Sequence, residues 1–275
     1  MSDLVDYNYN LGSEYIKAFV TFIDILGFKS IVNSESPEVI NNKLDAMFRL
    51  SKPHQQKSPD TKDAIVIQFS DSIIRIQPVN NNDELNIAQC YIRELDALTL
   101  MQGNLACNGI LIRGGLTYGD VCVKNGRIFG PAFNRAYGLE SSLARYPRIL
   151  VDEFLTLPNL DNPIYSQIGH NSWSDISYSF LEYLLRSEDG QWMLDYIPHI
   201  YLATHPDNIT RLDVLYAHRN SIIELLGKAI QSKQEEPIAK IRWLASYHNK
   251  IMERSFRKFV EQSDSNYDSL IIESS

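Results

Sequence analysis

Ala18-Phe19-Val20-Thr21-Phe22-Ile23-Asp24-Ile25-Leu26-Gly27-Phe28 reads as a buried strand that ends in a carboxylate and a tight turn. Phe19, Val20, Phe22, Ile23 and Ile25 are aromatic or β-branched, the residue types an interior strand favours. Asp24 interrupts this apolar run, and a carboxylate buried there is costly unless something compensates it. Two readings follow: a loop aspartate that closes a structural strand, or a metal ligand at the strand's mouth.

A second stretch favours the ligand. Ala64-Ile65-Val66-Ile67-Gln68-Phe69-Ser70-Asp71-Ser72-Ile73-Ile74-Arg75-Ile76 reads as a hairpin, two β-rich runs around the polar triplet Ser70-Asp71-Ser72. A second aspartate therefore stands at the tip of a second pair of strands. If the strands are neighbours, Asp24 and Asp71 face the same ions. Carboxylates that clamp a pair of divalent cations about 3.5–4 Å apart suit phosphoryl chemistry.

The rest of the composition bounds the possibilities. A chain of 275 residues with 44% apolar residues can bury a sizeable core, as one large domain or two small ones. The net charge of −8 argues against a nucleic-acid partner, because phosphate backbones need basic faces. The three cysteines, Cys90, Cys107 and Cys122, show no metal spacing and fit structural roles in a reducing, cytoplasmic compartment. No apolar segment is long enough to span a membrane, and the acidic start Met-Ser-Asp-Leu-Val-Asp lacks the basic opening of a signal peptide. The six histidines, His54, His170, His199, His205, His218 and His248, also lack metal spacing.

Between and beyond the two aspartates, helices and strands alternate. Ser36-Pro37-Glu38 is a helix start, and Val39, Ile40, Leu44, Met47 and Phe48 follow at helical spacing up to Pro53. A polar loop from His54 to Asp63 leads to the hairpin. A second helix is expected from about Asp83 to Gln102. Cys107 to Gly119 reads as a strand with three close glycines near its end, Gly114, Gly115 and Gly119, that mark close packing under a helix or approach of a ligand. Asn125-Gly126 marks a hairpin, Pro131 to Ala144 a helix, and Pro147 to Asp152 a strand. The order predicts an α+β fold, a mixed sheet with helices packed on it. Helices over Ser179–Arg186, Val214–Ile230 and Ala239–Phe259, and a strand over Gln191–Ile197, predict a helical C-terminal elaboration. Residues 263–275 read as a loose tail.

Four of these segments, in order, resemble class III nucleotidyl cyclases. Phe22-Ile23-Asp24-Ile25-Leu26-Gly27-Phe28 is similar to their first metal motif, and Phe69-Ser70-Asp71-Ser72 to the second. Ile112-Arg113-Gly114-Gly115-Leu116 with Gly119 is similar to their central strand. Ile128-Phe129-Gly130-Pro131-Ala132-Phe133-Asn134-Arg135-Ala136 with Leu139-Glu140-Ser141 is similar to the segment that carries a ribose-contacting Asn. The wording, together with Lys240-Ile241-Arg242-Trp243-Leu244-Ala245-Ser246-Tyr247-His248-Asn249, is closest to the bacterial pyrimidine nucleotide cyclases of anti-phage defence.

The resemblance implies a ferredoxin-like, palm-type catalytic core over residues 17–155, with 156–262 elaborating the same domain. It implies conversion of UTP to 3′,5′-cyclic UMP and pyrophosphate, with CTP to cyclic CMP or a catalytically inactive nucleotide-binding module as alternatives. The product would be a second messenger for a separate effector. Two divalent cations, Mn²⁺ or Mg²⁺, would be held by Asp24, Asp71 and the carbonyl of Ile25. The backbone N–H groups of Leu26, Gly27 and Phe28 would face the phosphates. Asn134 would serve the site of a partner chain in a two-fold homodimer with shared sites. The family's purine reader, four residues before the second Asp, is Ile67 here, and its transition-state Arg is Gly138. Replacement cations are sought in Arg75, which counts onto the face of Asp71 in steps of two or makes a surface ion pair. Arg135, about 100° around the helix from Asn134, is a further candidate, as are Lys240 and Arg242.

Overall fold

The computed structural model describes residues 12–52, 63–79, 84–156, 180–203, 211–262 and 266–273. The expected loop from His54, the start of the second helix at Asp83 and residues 157–179 of the expected C-terminal elaboration lie outside them.

The strand that opens the sequence runs as β1 (Ile16–Ile25) through the middle of one mixed sheet. β3 (Ser72–Pro78) and β4 (Ile112–Lys124) flank it, both antiparallel. β2 (Ile65–Phe69) closes the hairpin with β3, and β5 (Arg127–Phe129) folds back on β4 across the Asn125-Gly126 turn. β6 (Ile149–Val151) is parallel to β4, and β8 (Trp192–Leu194) and β7 (Leu184–Arg186) extend the sheet antiparallel beyond it. The order is β2-β3-β1-β4-β6-β8-β7. The fold is α+β with a mixed sheet, as expected, and its first four strands follow a split β-α-β connectivity.

Helices form where caps and periodicity ask for them. After α1 (Phe28–Ser34), the Ser36 hydroxyl accepts from the Val39 amide at 3.4 Å and Pro37 opens α2 (Pro37–Ser51). α3 (Glu84–Cys107) crosses one sheet face, and Tyr91, Leu95 and Leu98 pack there on Phe19, Ile23 and Leu116. α4 (Pro131–Gly138) lies on the other face, with Ala132 and Ala136 against Ala18, Val20 and Val121. β1 therefore buries both faces, which is why its apolar run barely alternates.

The C-terminal helices α5 (Tyr196–Ala203), α6 (Arg211–Ser232), α7 (Glu235–Ile251) and α8 (Arg257–Gln262) gather a further core with Leu150 and Met193 of the sheet. Three expectations change here. The helix over Ser179–Arg186 gives way, at Leu184–Arg186, to a strand whose backbone pairs with β8. The strand over Gln191–Ile197 shrinks to Trp192–Leu194, and α5 begins at Tyr196 with Pro198 in its first turn. The tail is not loose over residues 266–273: Leu270 and Ile272 are buried. Asn249 holds Ile272 by two reciprocal bonds, donating to its carbonyl at 2.8 Å and accepting from its amide at 2.9 Å. Residues 263–265 and 274–275 lie outside the described ones. Among the described residues no helix is long and apolar enough to cross a membrane.

Candidate metal and nucleotide site

β1 ends where the β2–β3 hairpin turns. Register pairs Asp24 with Ser72 on one side and with Arg113 on the other. Ser70 takes the left-handed conformation (φ 55°) that sharpens the turn, and the Asp71 carbonyl accepts from the Ile25 amide at 3.2 Å. That bond ties the two aspartates to the same edge. The charge of Asp71 acts on the Asp24 carboxyl.

Charges of both signs surround them. The Ser72 hydroxyl donates to Asp24 Oδ1 at 3.0 Å, and an Arg113 Nη stands 3.5 Å from Oδ2. Arg113 Nε lies 2.8 Å from Glu140 Oε1, an ion pair without hydrogen-bond alignment. Glu140 is buried (3% of its side chain exposed), whereas Arg113 keeps 27% and Asp24 17%. Burial first, then the neighbouring Asp71, pushes the Asp24 carboxyl up to about 6, against the pull of Ser72 and Arg113. Burial likewise pushes Glu140 up to about 7; Arg113 opposes this and the charges of Asp24 and Asp71 add to it.

Gly115 makes this arrangement possible. A Cβ there would meet Leu139 Cβ at 2.4 Å and the Ala136 carbonyl at 2.6 Å, so only glycine lets the helix sit this low on β4. Gly115 thus serves close packing under a helix, one of the two readings above, whereas a Cβ on Gly114 would meet the Phe22 carbonyl of β1 at 2.7 Å. α4 then continues into a π-helical turn, Leu139–Leu143, closed by the Ala144 amide on the Leu139 carbonyl at 2.9 Å. The wider turn carries Glu140 to the end of β4.

Of the expected site residues, Asp24, Ile25 and Asp71 come together. The Leu26 amide is spent on the Leu111 carbonyl at 2.8 Å, while Gly27 (φ 78°) makes the turn into α1 and leaves Phe28 as its first residue. Asn134 is exposed on α4. Arg135 spends its guanidinium on Asp152 in a two-point pair at 2.8 and 2.7 Å, which Thr117 supports.

Arg75 is a correction. It is buried on the opposite face of the sheet, bonded to Glu94 by Nε at 3.0 Å and by an Nη at 2.8 Å, and also to the Ser51 carbonyl. The count in steps of two began at Asp71, which belongs to the turn. Strand alternation begins at Ser72, and three positions on Arg75 points away from Asp24. Lys240 pairs with Glu236 at 2.6 Å on the surface.

Arg113 and Glu140 are the site residues that sequence reading missed. Arg113 interrupts an apolar stretch, as Asp24 does, whereas Glu140 stands beside Ser141 and Ser142 with no such signal. His218 and His248 are not ordinary either. They share a 2.9 Å contact between their Nδ1 atoms, buried between the Tyr196 hydroxyl and the Leu270 carbonyl. Burial holds His218 well below its usual value and brings His248 to about 4.

The donor set at Asp24 and Asp71 is hard oxygen in partly polar surroundings, which fits Mg²⁺ or Mn²⁺ better than softer ions. The Asp24 carboxyl, raised by burial and by the charge of Asp71 and met by a guanidinium nitrogen only at 3.5 Å, fits a place where added positive charge is stabilising. Among the described residues no three His, Cys, Asp or Glu side chains already converge as a metal cage. No protein-family model matches this chain, and no curated protein matches it.

Proposed function

We propose that the chain is a divalent-cation-dependent nucleotidyl cyclase of the class III kind, which converts UTP to 3′,5′-cyclic UMP and pyrophosphate. The observation that carries this reading is the juxtaposition of Asp24 and Asp71 at one end of adjacent antiparallel strands. The β2-β3-β1-β4 order, compatible with a ferredoxin-like palm, supports it.

The reaction is intramolecular: the ribose 3′-oxygen attacks the α-phosphorus and pyrophosphate leaves, so no protein nucleophile is needed. Bound divalent cations would acidify the 3′-hydroxyl and neutralise the triphosphate. Asp24 and Asp71 would hold them, with the Ile25 carbonyl as a further oxygen donor. Ser72 keeps Asp24 oriented through its 3.0 Å bond. The amides of Gly27 and Phe28, at the turn into α1, would face the phosphates, whereas the Leu26 amide is already bonded to the Leu111 carbonyl. Arg113 supplies positive charge beside Asp24 that neither Arg75 nor Arg135 provides.

A pyrimidine substrate is supported by the two departures. Ile67 is buried in the core between sheet and α4, where no polar base reader can stand. A Cβ on Gly138 would meet nothing within 4 Å, so the glycine is not imposed by packing and simply leaves the family's Arg missing. The choice of UTP over CTP rests on the resemblance alone, as do the anti-phage role, the cyclic-nucleotide-activated effector and the cytoplasmic setting. Exposed Asn134, with half-exposed Tyr137 one turn on, supports a homodimer in which it completes a partner's site.

A second reading, a nucleotide-binding module without turnover, is favoured by the commitment of Arg75 and Arg135 to Glu94 and Asp152. One experiment separates the two. Purified protein is incubated with Mn²⁺ and each of ATP, GTP, CTP and UTP, the products are read by mass spectrometry, and Asp71→Asn serves as the control. A single cyclic pyrimidine product, lost in the control, is expected. Nucleotide binding with no product from any of the four would leave the binding module.

A further inference from the structure

The guanidinium of Arg113 has two anionic partners at unequal distances: Glu140 at 2.8 Å and Asp24 at 3.5 Å. Glu140 cannot follow it far. Its turn is closed by the Ala144–Leu139 bond, and its backbone rests on Gly115, where a Cβ would stand 3.1 Å from the Glu140 nitrogen. Glu140 Oε1 is buried, and neither it nor Arg113 Nε has an aligned hydrogen-bond partner. The contact with Glu140 is thus short and anchored in a fixed turn, whereas the contact with Asp24 is long. When another cation competes for Asp24, the longer contact is the one that yields.

We propose that Arg113 neutralises Asp24 in the metal-free chain and is exchanged for the divalent cation, and that Glu140 is the positioning residue that retains Arg113 when the cation enters. This rests on the metal reading above. It assigns Glu140 a role through Arg113, and not as a ligand. Without Glu140, the guanidinium would settle on Asp24 and Asp71 and compete with the metal. Without Arg113, the carboxylates would meet the cation unopposed.

The test is Mn²⁺ binding to the full chain without nucleotide, followed by electron paramagnetic resonance of free Mn²⁺, with thermal unfolding as the check on folding. Glu140→Gln is expected to weaken Mn²⁺ binding about tenfold, by releasing the guanidinium onto the carboxylates, and Arg113→Met to strengthen it several-fold, by removing a unit positive charge beside the ion. Arg113→Lys keeps the positive charge and is expected to bind within about threefold of the parent. In the Arg113→Met background, Glu140→Gln is expected to change affinity by less than about threefold, because the two residues act as a unit. That double variant also removes the uncompensated buried charge, so the result stands if a single variant folds poorly. An equal loss from Glu140→Gln in both backgrounds overturns the proposal and makes Glu140 an independent contributor. Parent-like affinity in every variant overturns it while leaving the metal reading intact. No saturable Mn²⁺ binding by the parent overturns both.

Discussion

Arg75→Met separates a structural arginine from a substrate-binding one. In the parent, Glu94 accepts from Arg75 Nε at 3.0 Å, from an Arg75 Nη at 2.8 Å and from the Thr21 hydroxyl at 3.0 Å, with 1% of the residue exposed. Methionine keeps most of the volume but leaves Glu94 with Thr21 alone, and orphans the Ser51 carbonyl. Removing one partner of a buried ion pair costs about 3–5 kcal/mol. For a chain of this size that lowers the melting temperature on the order of 10 °C. In Arg75→Met/Glu94→Leu the charge is gone as well, and most of the loss should return, less about 1 kcal/mol for the hydroxyl and carbonyl left unpaired. Thermal and guanidinium unfolding followed by far-ultraviolet circular dichroism measure both variants, and cyclic nucleotide formation is assayed in parallel at a temperature where each is folded. Stability within about 1 kcal/mol of the parent for Arg75→Met, together with lost turnover, would refute this account and return Arg75 to the substrate.

Three further outcomes are expected. Gly115→Ala drives a methyl into Leu139 Cβ and the Ala136 carbonyl, which should cost about 1–3 kcal/mol in chemical denaturation and weaken Mn²⁺ binding as the turn with Glu140 lifts; unchanged binding would show that its height over β4 is immaterial. Folded Asp24 and Glu140 retain protons that the unfolded chain has already released, so metal-free stability should fall as pH rises from 3.8 to about 6 for Asp24 and from 4.5 to about 7 for Glu140, and Asp24→Asn should flatten the first part of that curve in melting scans. Leu270→Ala should cost about 2–5 kcal/mol by equilibrium unfolding, because Leu270 is fully buried; a cost below about 0.5 kcal/mol would mean that the terminal segment is not packed.

The two aspartates were legible because a charge inside a β-rich run is anomalous on its face. Asp24 breaks an apolar strand and Asp71 sits in an obvious turn. By the same logic Arg113, between Ile112 and Gly114, and Glu94, between apolar helix positions, carried a signal; its meaning depended on which distant charge lay opposite. Arg75 went astray by one residue, since parity is meaningful only within a strand and Asp71 stands outside it. The three-residue strand β7 is set by pairing with β8 rather than by local pattern, so Leu184–Arg186 had no strand signature of its own. The packing of Leu270 and Ile272 was hidden for a related reason: the partners that order them, Asn249 and His248, lie in a helix some twenty residues earlier.

β1 gives one helical layer its odd-numbered side chains and the other layer its even-numbered ones, Thr21 and Ile23 facing α3 and its ion pair while Phe22 and Asp24 face α4 and the hairpin turn. A deletion of one residue within it would hand each layer the other's complement, with Ile23 delivered to the turn and Asp24 into oil. The strand can therefore lengthen or shorten only two residues at a time. Descendants of this chain should vary freely in the connections at either end of β1, while the spacing from Thr21 to Asp24 stays frozen.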